Sequence, residues 1–152
     1  MKDQKLIINQ IDVKLGLFSA TKSLNIPPGG WIYSIRKALH MSMRQLGNRM
    51  GITAQSVREI EIREKSGSIS LNALKRVEDS LQMKLIYGII PETGSLENMI
   101  EERATEIAGE IVRRASLTMR LDGDEITDEQ IRMAISEKAA EISQKIPGYL
   151  WD

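Results

Sequence analysis

The stretch Thr53-Ala54-Gln55-Ser56-Val57-Arg58-Glu59 sets polar, mostly short side chains at the start of an amphipathic repeat. A helix with such a first turn can press its tip against a hydrogen-bonding surface, because nothing bulky intervenes. The chemistry on offer is recognition of bases and phosphates. Gln55 can pair bidentately with adenine, and the methyl of Ala54 fits that of thymine. The free N–H groups and positive dipole end of a helix amino terminus favour phosphate. One turn on, Arg58 can read guanine or hold a phosphate, and Glu59 can accept from cytosine N4.

Composition narrows the remaining chemistry. The 152-residue chain has no cysteine and one histidine, His40. That excludes disulfides and cysteine-rich zinc sites and disfavours histidine-based hydrolysis. Nothing resembles a nucleophile with its base or a glycine-rich phosphate loop. Neither enzymatic activity nor a cofactor nor a metal site is expected. Asp122, Asp124, Glu125 and Asp128 superficially suggest calcium, but the twelve-residue EF-hand spacing is missing and a solvated, helix-capping loop is simpler.

The formal charge sums to zero but is unevenly spread: +2 over residues 1–26, +5 over 27–90 and −7 over 91–152. A basic middle suits an anionic partner and an acidic tail a protein partner, although ordinary solvated helix faces give the same pattern. No run approaches the ~18 apolar residues of a membrane span, and MKDQKLIINQ lacks a secretory pattern. A cytoplasmic, nucleoid-associated protein without a membrane partner is expected.

A helix tip needs a scaffold, and the periodicity describes one. Ile7, Ile11, Leu15 and Phe18 share a face of a first helix, within residues 1–26, until NIPPGG interrupts it. Over 27–91, Ile32, Ile35 and Leu39 line a short helix. Ser42 can cap another carrying Leu46 and Met50, and Gly51 can end it in the left-handed conformation. Thr53 can cap a third with Val57 and Ile60, followed by a polar loop, EKSGS. Ser70 can then cap a fourth with Leu71, Leu74, Val77 and Leu81.

KLIYGIIP reads as a short β-strand stopped by Pro91. A lone strand leaves its backbone groups unpaired, so Leu85, Ile86, Tyr87, Ile89 and Ile90 are expected to pair with a second copy in a homodimer. Residues 92–152 hold two long helices. Leu96, Ile100, Ile107, Ile111 and Ala115 stripe the first. A Thr127–Gln130 capping box opens the second, striped by Ile131, Ile135, Ala139, Ile142 and Ile146.

Between Met43 and Ile62 several steric constraints coincide. Leu46, Met50, Ile52, Val57 and Ile60 provide apolar contact, Gly47 is small where two helices would cross, and Gly51 supplies positive φ at the turn. These seven positions resemble the helix-turn-helix of the phage-repressor, or Xre/Cro, superfamily. The resemblance implies a mostly α, lambda-repressor-like bundle with added terminal helices, whose third helix enters the major groove of double-stranded DNA by its amino-terminal end. It places Thr53, Ala54, Gln55, Ser56, Arg58 and Glu59 on the DNA. It also places Arg63, Lys65, Ser66 and Ser68 in a loop that approaches the backbone in relatives. Two positions depart from the pattern. Met43 stands where a phosphate-binding glutamine is usual, leaving neighbouring Arg44 as the substitute, and Glu59 stands where a basic or amide residue is common.

Longer stretches, PPGGWIYSIRKALHMSMRQLGNRMGITAQSVREIE, GSISLNALKRVEDSLQMKLIYGIIP and the terminal LWD, resemble the mobile mystery protein A family over nearly the whole chain. Members of that family are Xre-type proteins of mobile elements, encoded beside a Fic-domain protein that transfers AMP or related groups to hydroxyls. The resemblance implies a DNA-binding transcriptional regulator, an autorepressor and antitoxin of the neighbouring Fic protein. The alternative is an interaction protein that inhibits the Fic enzyme directly, with DNA binding secondary. TGSLEN bears on that alternative. Thr93, Glu97 and Asn98 resemble the Fic inhibitory motif, whose glutamate pairs with an arginine of the Fic site; the simpler reading is that Ser95 caps a helix and Glu97 favours its positive end.

Overall fold

Local sequence decides where each helix begins and ends. The computed structural model describes residues 2–123 and 125–152, and these form seven α-helices: α1 (Lys2–Gly16), α2 (Trp31–Ala38), α3 (Met43–Met50), α4 (Ala54–Ser66), α5 (Leu71–Leu81), α6 (Leu96–Leu121) and α7 (Asp128–Lys145). Ser42, Thr53, Ser70, Ser95 and Thr127 each stand in extended backbone just before a helix. Each hydroxyl accepts from the N–H three residues on, which stabilises a helix by about 1 kcal/mol. Gln45 and Gln130 return the bond and complete capping boxes.

The chain divides into two compact units, Ser23–Tyr87 and Met1–Lys22 with Gly88–Asp152. In the first, α2 to α5 surround Ile32, Leu46, Val57 and Val77, with Met50, Ile52, Ile60 and Leu74 packed against them. Leu39, expected on the inner face of α2, is exposed, because α2 ends at Ala38 and Leu39 is its C-cap.

In the second unit, α6 and α7 form a hairpin over Ile100, Ala104, Ala108, Ala139 and Ile142. The alanines let the two helices approach closely. Leu150, in a closing 3-10 turn, is fully buried in the same core. Arg103 fixes that turn by donating to the carbonyls of Leu150 (2.8 Å) and Asp152 (2.7 Å).

Helix α1 packs on α6, so the segment read separately as residues 1–26 shares a unit with the carboxy-terminal pair as far as Lys22, and from Ser23 belongs to the other unit. The inner edge of α1 keeps Leu15 and Phe18 of the expected stripe, which are half-buried, and departs from it nearer the amino terminus. Ile7 and Ile11 are exposed, and Ile8 reaches the core instead. Asp12, one turn on from Ile8, also faces inward, and its carboxylate accepts from the backbone N–H of Leu96 (2.7 Å) and Glu97 (3.2 Å). These are open donors of the first turn of α6, and a carboxylate satisfies them and complements the helix dipole.

The expected strand is corrected. Among the described residues there is no β-strand, and Met83–Ile90 runs without regular structure. A ladder needs a second strand to take its N–H and C=O groups, and the rest of the described chain folds as helices and short connections. Leu85 and Ile90 are half-buried, whereas Ile86, Tyr87 and Ile89 are exposed. Just beyond, the Thr93 hydroxyl donates to the Ser95 carbonyl (3.0 Å) and the Asn98 side chain to the Thr93 carbonyl (2.9 Å). Thr93 and Asn98 thus help to organise the start of α6, and Glu97 is exposed in its first turn. Among the described residues, no helix is long and apolar enough to cross a membrane.

Candidate nucleic-acid interface

Two glycines set the turn that aims α4. Gly51 takes φ 70° at the end of α3, a conformation open to glycine at little cost. Gly47 is buried one turn earlier. A Cβ there would lie 2.6 Å from the Ile52 carbonyl oxygen and 3.2 Å from the Thr53 carbonyl carbon. These are backbone atoms, which cannot rotate away as a side chain does. Gly47→Ala is therefore expected to push α3 and α4 apart and cost about 1–3 kcal/mol, read as a lower urea midpoint in circular dichroism.

Two carboxylates one turn apart tie α4 to α2. Glu61 accepts from Arg36 Nε (2.6 Å) and Nη2 (3.1 Å), and both side chains are buried. Arg36 also donates to the Met41 carbonyl (2.9 Å) and lies 5.5 Å from the Tyr33 ring centre. The Glu61 hydrogen bond raises the Arg36 pKa above its ordinary value, against the effect of burial. Glu64 accepts from the backbone N–H of Trp31 (2.8 Å) and Ile32 (2.9 Å) at the start of α2. Gly30 makes room for it: a Cβ there would sit 2.9 Å from Glu64 Oε2. So α2 is held by α4 at its first turn and again through Arg36, near its last. Neither carboxylate was anticipated from the sequence. The signal was present, since Val57, Glu61 and Glu64 recur at helical spacing on one face.

The opposite face of α4 is presented outward. Thr53, Ala54, Gln55, Arg58 and Glu59 are exposed and Ser56 is half-buried. Thr53 Oγ1 accepts from Ser56 N (3.1 Å) and shares a hydrogen bond with Ser56 Oγ (2.9 Å), so these hydroxyls organise the tip. Gln55 and Arg58 are three residues apart and therefore neighbours on the helix surface. Glu59 approaches Arg63 at 3.8 Å, with both side chains more than half exposed; such a pair adds little stability and is easily opened.

The remaining candidates divide by position. Arg44 is exposed in the first turn of α3. Arg63, Lys65 and Ser66, expected in a loop, instead form the last turn of α4, because the helix continues to Gly67, which ends it at φ 77°. Ser66 Oγ donates to the Arg63 carbonyl (3.2 Å) and shares a hydrogen bond with Ser68 Oγ (2.9 Å). A rise of about 1.5 Å per residue puts Ser66 roughly 16 Å along the axis from Gln55. The tip and the basic far end are two patches of one helix.

In the acidic loop, Asp122 is the C-cap of α6 and Asp128 lies in the first turn of α7, while Asp124 falls outside the described residues. Among the described residues, no three His, Cys, Asp or Glu side chains are grouped as metal ligands. No protein-family model, curated protein or solved structure matches the chain.

Proposed function

We propose that the chain is a sequence-specific DNA-binding regulator of the helix-turn-helix class that acts as a homodimer, with the tip of α4 in the major groove. One observation carries the reading. A helix end bearing short polar side chains, with Gln55 and Arg58 together on its outer face, is held out of its core by buried contacts on the other side. Gln55 reads adenine and Arg58 guanine, Ala54 allows close approach, and Thr53 and Ser56 set the open N–H groups against phosphate. Arg44, Arg63 and Lys65 supply counter-charge to the backbone. The resemblance to mobile mystery protein A extends the proposal to an autorepressor and antitoxin encoded beside a Fic-domain protein.

The test is titration of the full chain with duplex from upstream of its own gene, against shuffled duplex, over a range of salt. Specific retention is expected, with log K falling against log salt at a slope of about −3 per protomer, which for the dimer weakens binding on the order of 4,000-fold between 50 and 200 mM. Equal affinity for both duplexes would remove the proposal.

A further inference from the structure

Helix α4 carries one large apolar side chain that its core does not use. Val57 is buried and Ile60 packs against the same core, but Ile62 is 56% exposed and belongs to neither hydrophobic cluster. Seven residues make nearly two full helical turns, so Ile62 returns to within about 20° of the direction of Gln55. That puts it in the middle of the outward stripe, between exposed Arg58 and Glu59 and opposite the face of Val57, Glu61 and Glu64. A β-branched side chain loses rotamer freedom in a helix, and at this position no burial offsets the loss.

We infer that Ile62 is a specificity-determining residue of the DNA interface and reads the C5-methyl group of a thymine. The inference rests on the proposed DNA-binding function and adds a base contact to it. On the base edges of the major groove the thymine methyl is the distinctly apolar group among hydrogen-bond donors and acceptors. An aliphatic side chain set in a stripe of hydrogen-bonding ones therefore has one matching base. Reach agrees with this. Ile62 lies about 10 Å along the axis from Gln55, and the major groove is about 12 Å wide. A helix lying obliquely in the groove with Gln55 on a base edge thus keeps Ile62 inside it. The methyl projects from the pyrimidine end of the base pair, beside the groove wall, where a residue two turns behind the tip arrives. Arg63, next in sequence and exposed, then meets the phosphates of that wall.

The experiment uses the full chain and the duplex from upstream of its own gene, with each thymine replaced in turn by deoxyuridine. That exchange removes the C5-methyl and keeps every hydrogen-bonding group of the base. At one thymine per half-site the wild type is expected to lose about 4-fold in affinity, the contribution of one buried methyl group. Ile62→Ala should bind the thymine and deoxyuridine duplexes equally at that position, while Ile62→Val, which keeps the branched methyls, should retain most of the difference. Because the side chain is exposed, neither variant should shift the urea midpoint. The inference is overturned if every methyl-sensitive thymine stays as sensitive in Ile62→Ala. It is also overturned if the wild type prefers its cognate duplex yet ignores every thymine methyl. In both cases the DNA-binding reading stands. A wild type that binds cognate and shuffled duplex equally would instead remove that reading, and this contact with it.

Discussion

Glu61→Ala is expected to destabilise the Ser23–Tyr87 unit by about 3–5 kcal/mol, the usual cost of breaking a buried ion pair from one side. The magnitude follows from what remains. Arg36 keeps its charge, and it is 4% exposed. The Met41 carbonyl and the Tyr33 ring satisfy only part of the guanidinium. Small domains are stable by about 5–15 kcal/mol, so the variant would lose a large share of its margin. Chemical unfolding followed by circular dichroism measures the loss.

Replacing both partners tests the cause. Arg36→Met/Glu61→Leu removes the uncompensated charge and refills the space, and it is expected within ~1 kcal/mol of wild type or above it. A single-variant loss below about 1 kcal/mol would mean that water reaches the pair. Because Glu61 lies on the helix that carries Gln55 and Arg58, Glu61→Ala should also weaken DNA retention.

The same pair marks what the sequence made legible and what it did not. Caps and turns were readable because their causes are local. A serine or threonine hydroxyl reaches an N–H three residues away, and a glycine supplies its own backbone freedom. Ser42, Thr53, Ser70, Ser95, Thr127 and Gly51 all act where their residue types and spacing placed them. The apolar contacts of Leu46, Met50, Ile52, Val57 and Ile60 were readable by periodicity. Charged residues that face inward were not, because a carboxylate on a helix is normally solvated. Glu61, Glu64 and Asp12 are held in place by donors 25 to 85 residues distant in sequence. Partners that far apart leave no trace in the sequence beyond the helical spacing that puts Glu61 and Glu64 on the face of Val57.

Two further differences have the same origin. KLIYGIIP has the composition of a strand, but a strand is a property of two segments, and among the described residues no second one is present. The stripe of α1 held at Leu15 and Phe18 but not at Ile7 and Ile11, beside which Ile8 and Asp12 turn inward, Asp12 to the open start of α6. At the candidate interface the outer residues of α4 were legible as types, while the buried contacts that aim them required coordinates.

Gln55→Ala/Arg58→Ala is expected to abolish preference for the cognate duplex while leaving the fold intact. Each bidentate side chain contributes about 1–3 kcal/mol of discrimination against a wrong base. Losing both should lower specific affinity by roughly 10²- to 10⁴-fold per site, toward the level of shuffled DNA. Both residues are exposed and neither appears in the hydrogen bonds or ion pairs of the described structure, so the urea midpoint should not move. The comparison with Arg44→Ala and Lys65→Ala separates reading from holding. A phosphate contact weakens binding to every sequence alike and reduces the salt slope by about 1, whereas a base contact relaxes the preference at one position and leaves that slope nearly unchanged. Retention of the cognate preference by the double variant would place the reading surface elsewhere than on α4.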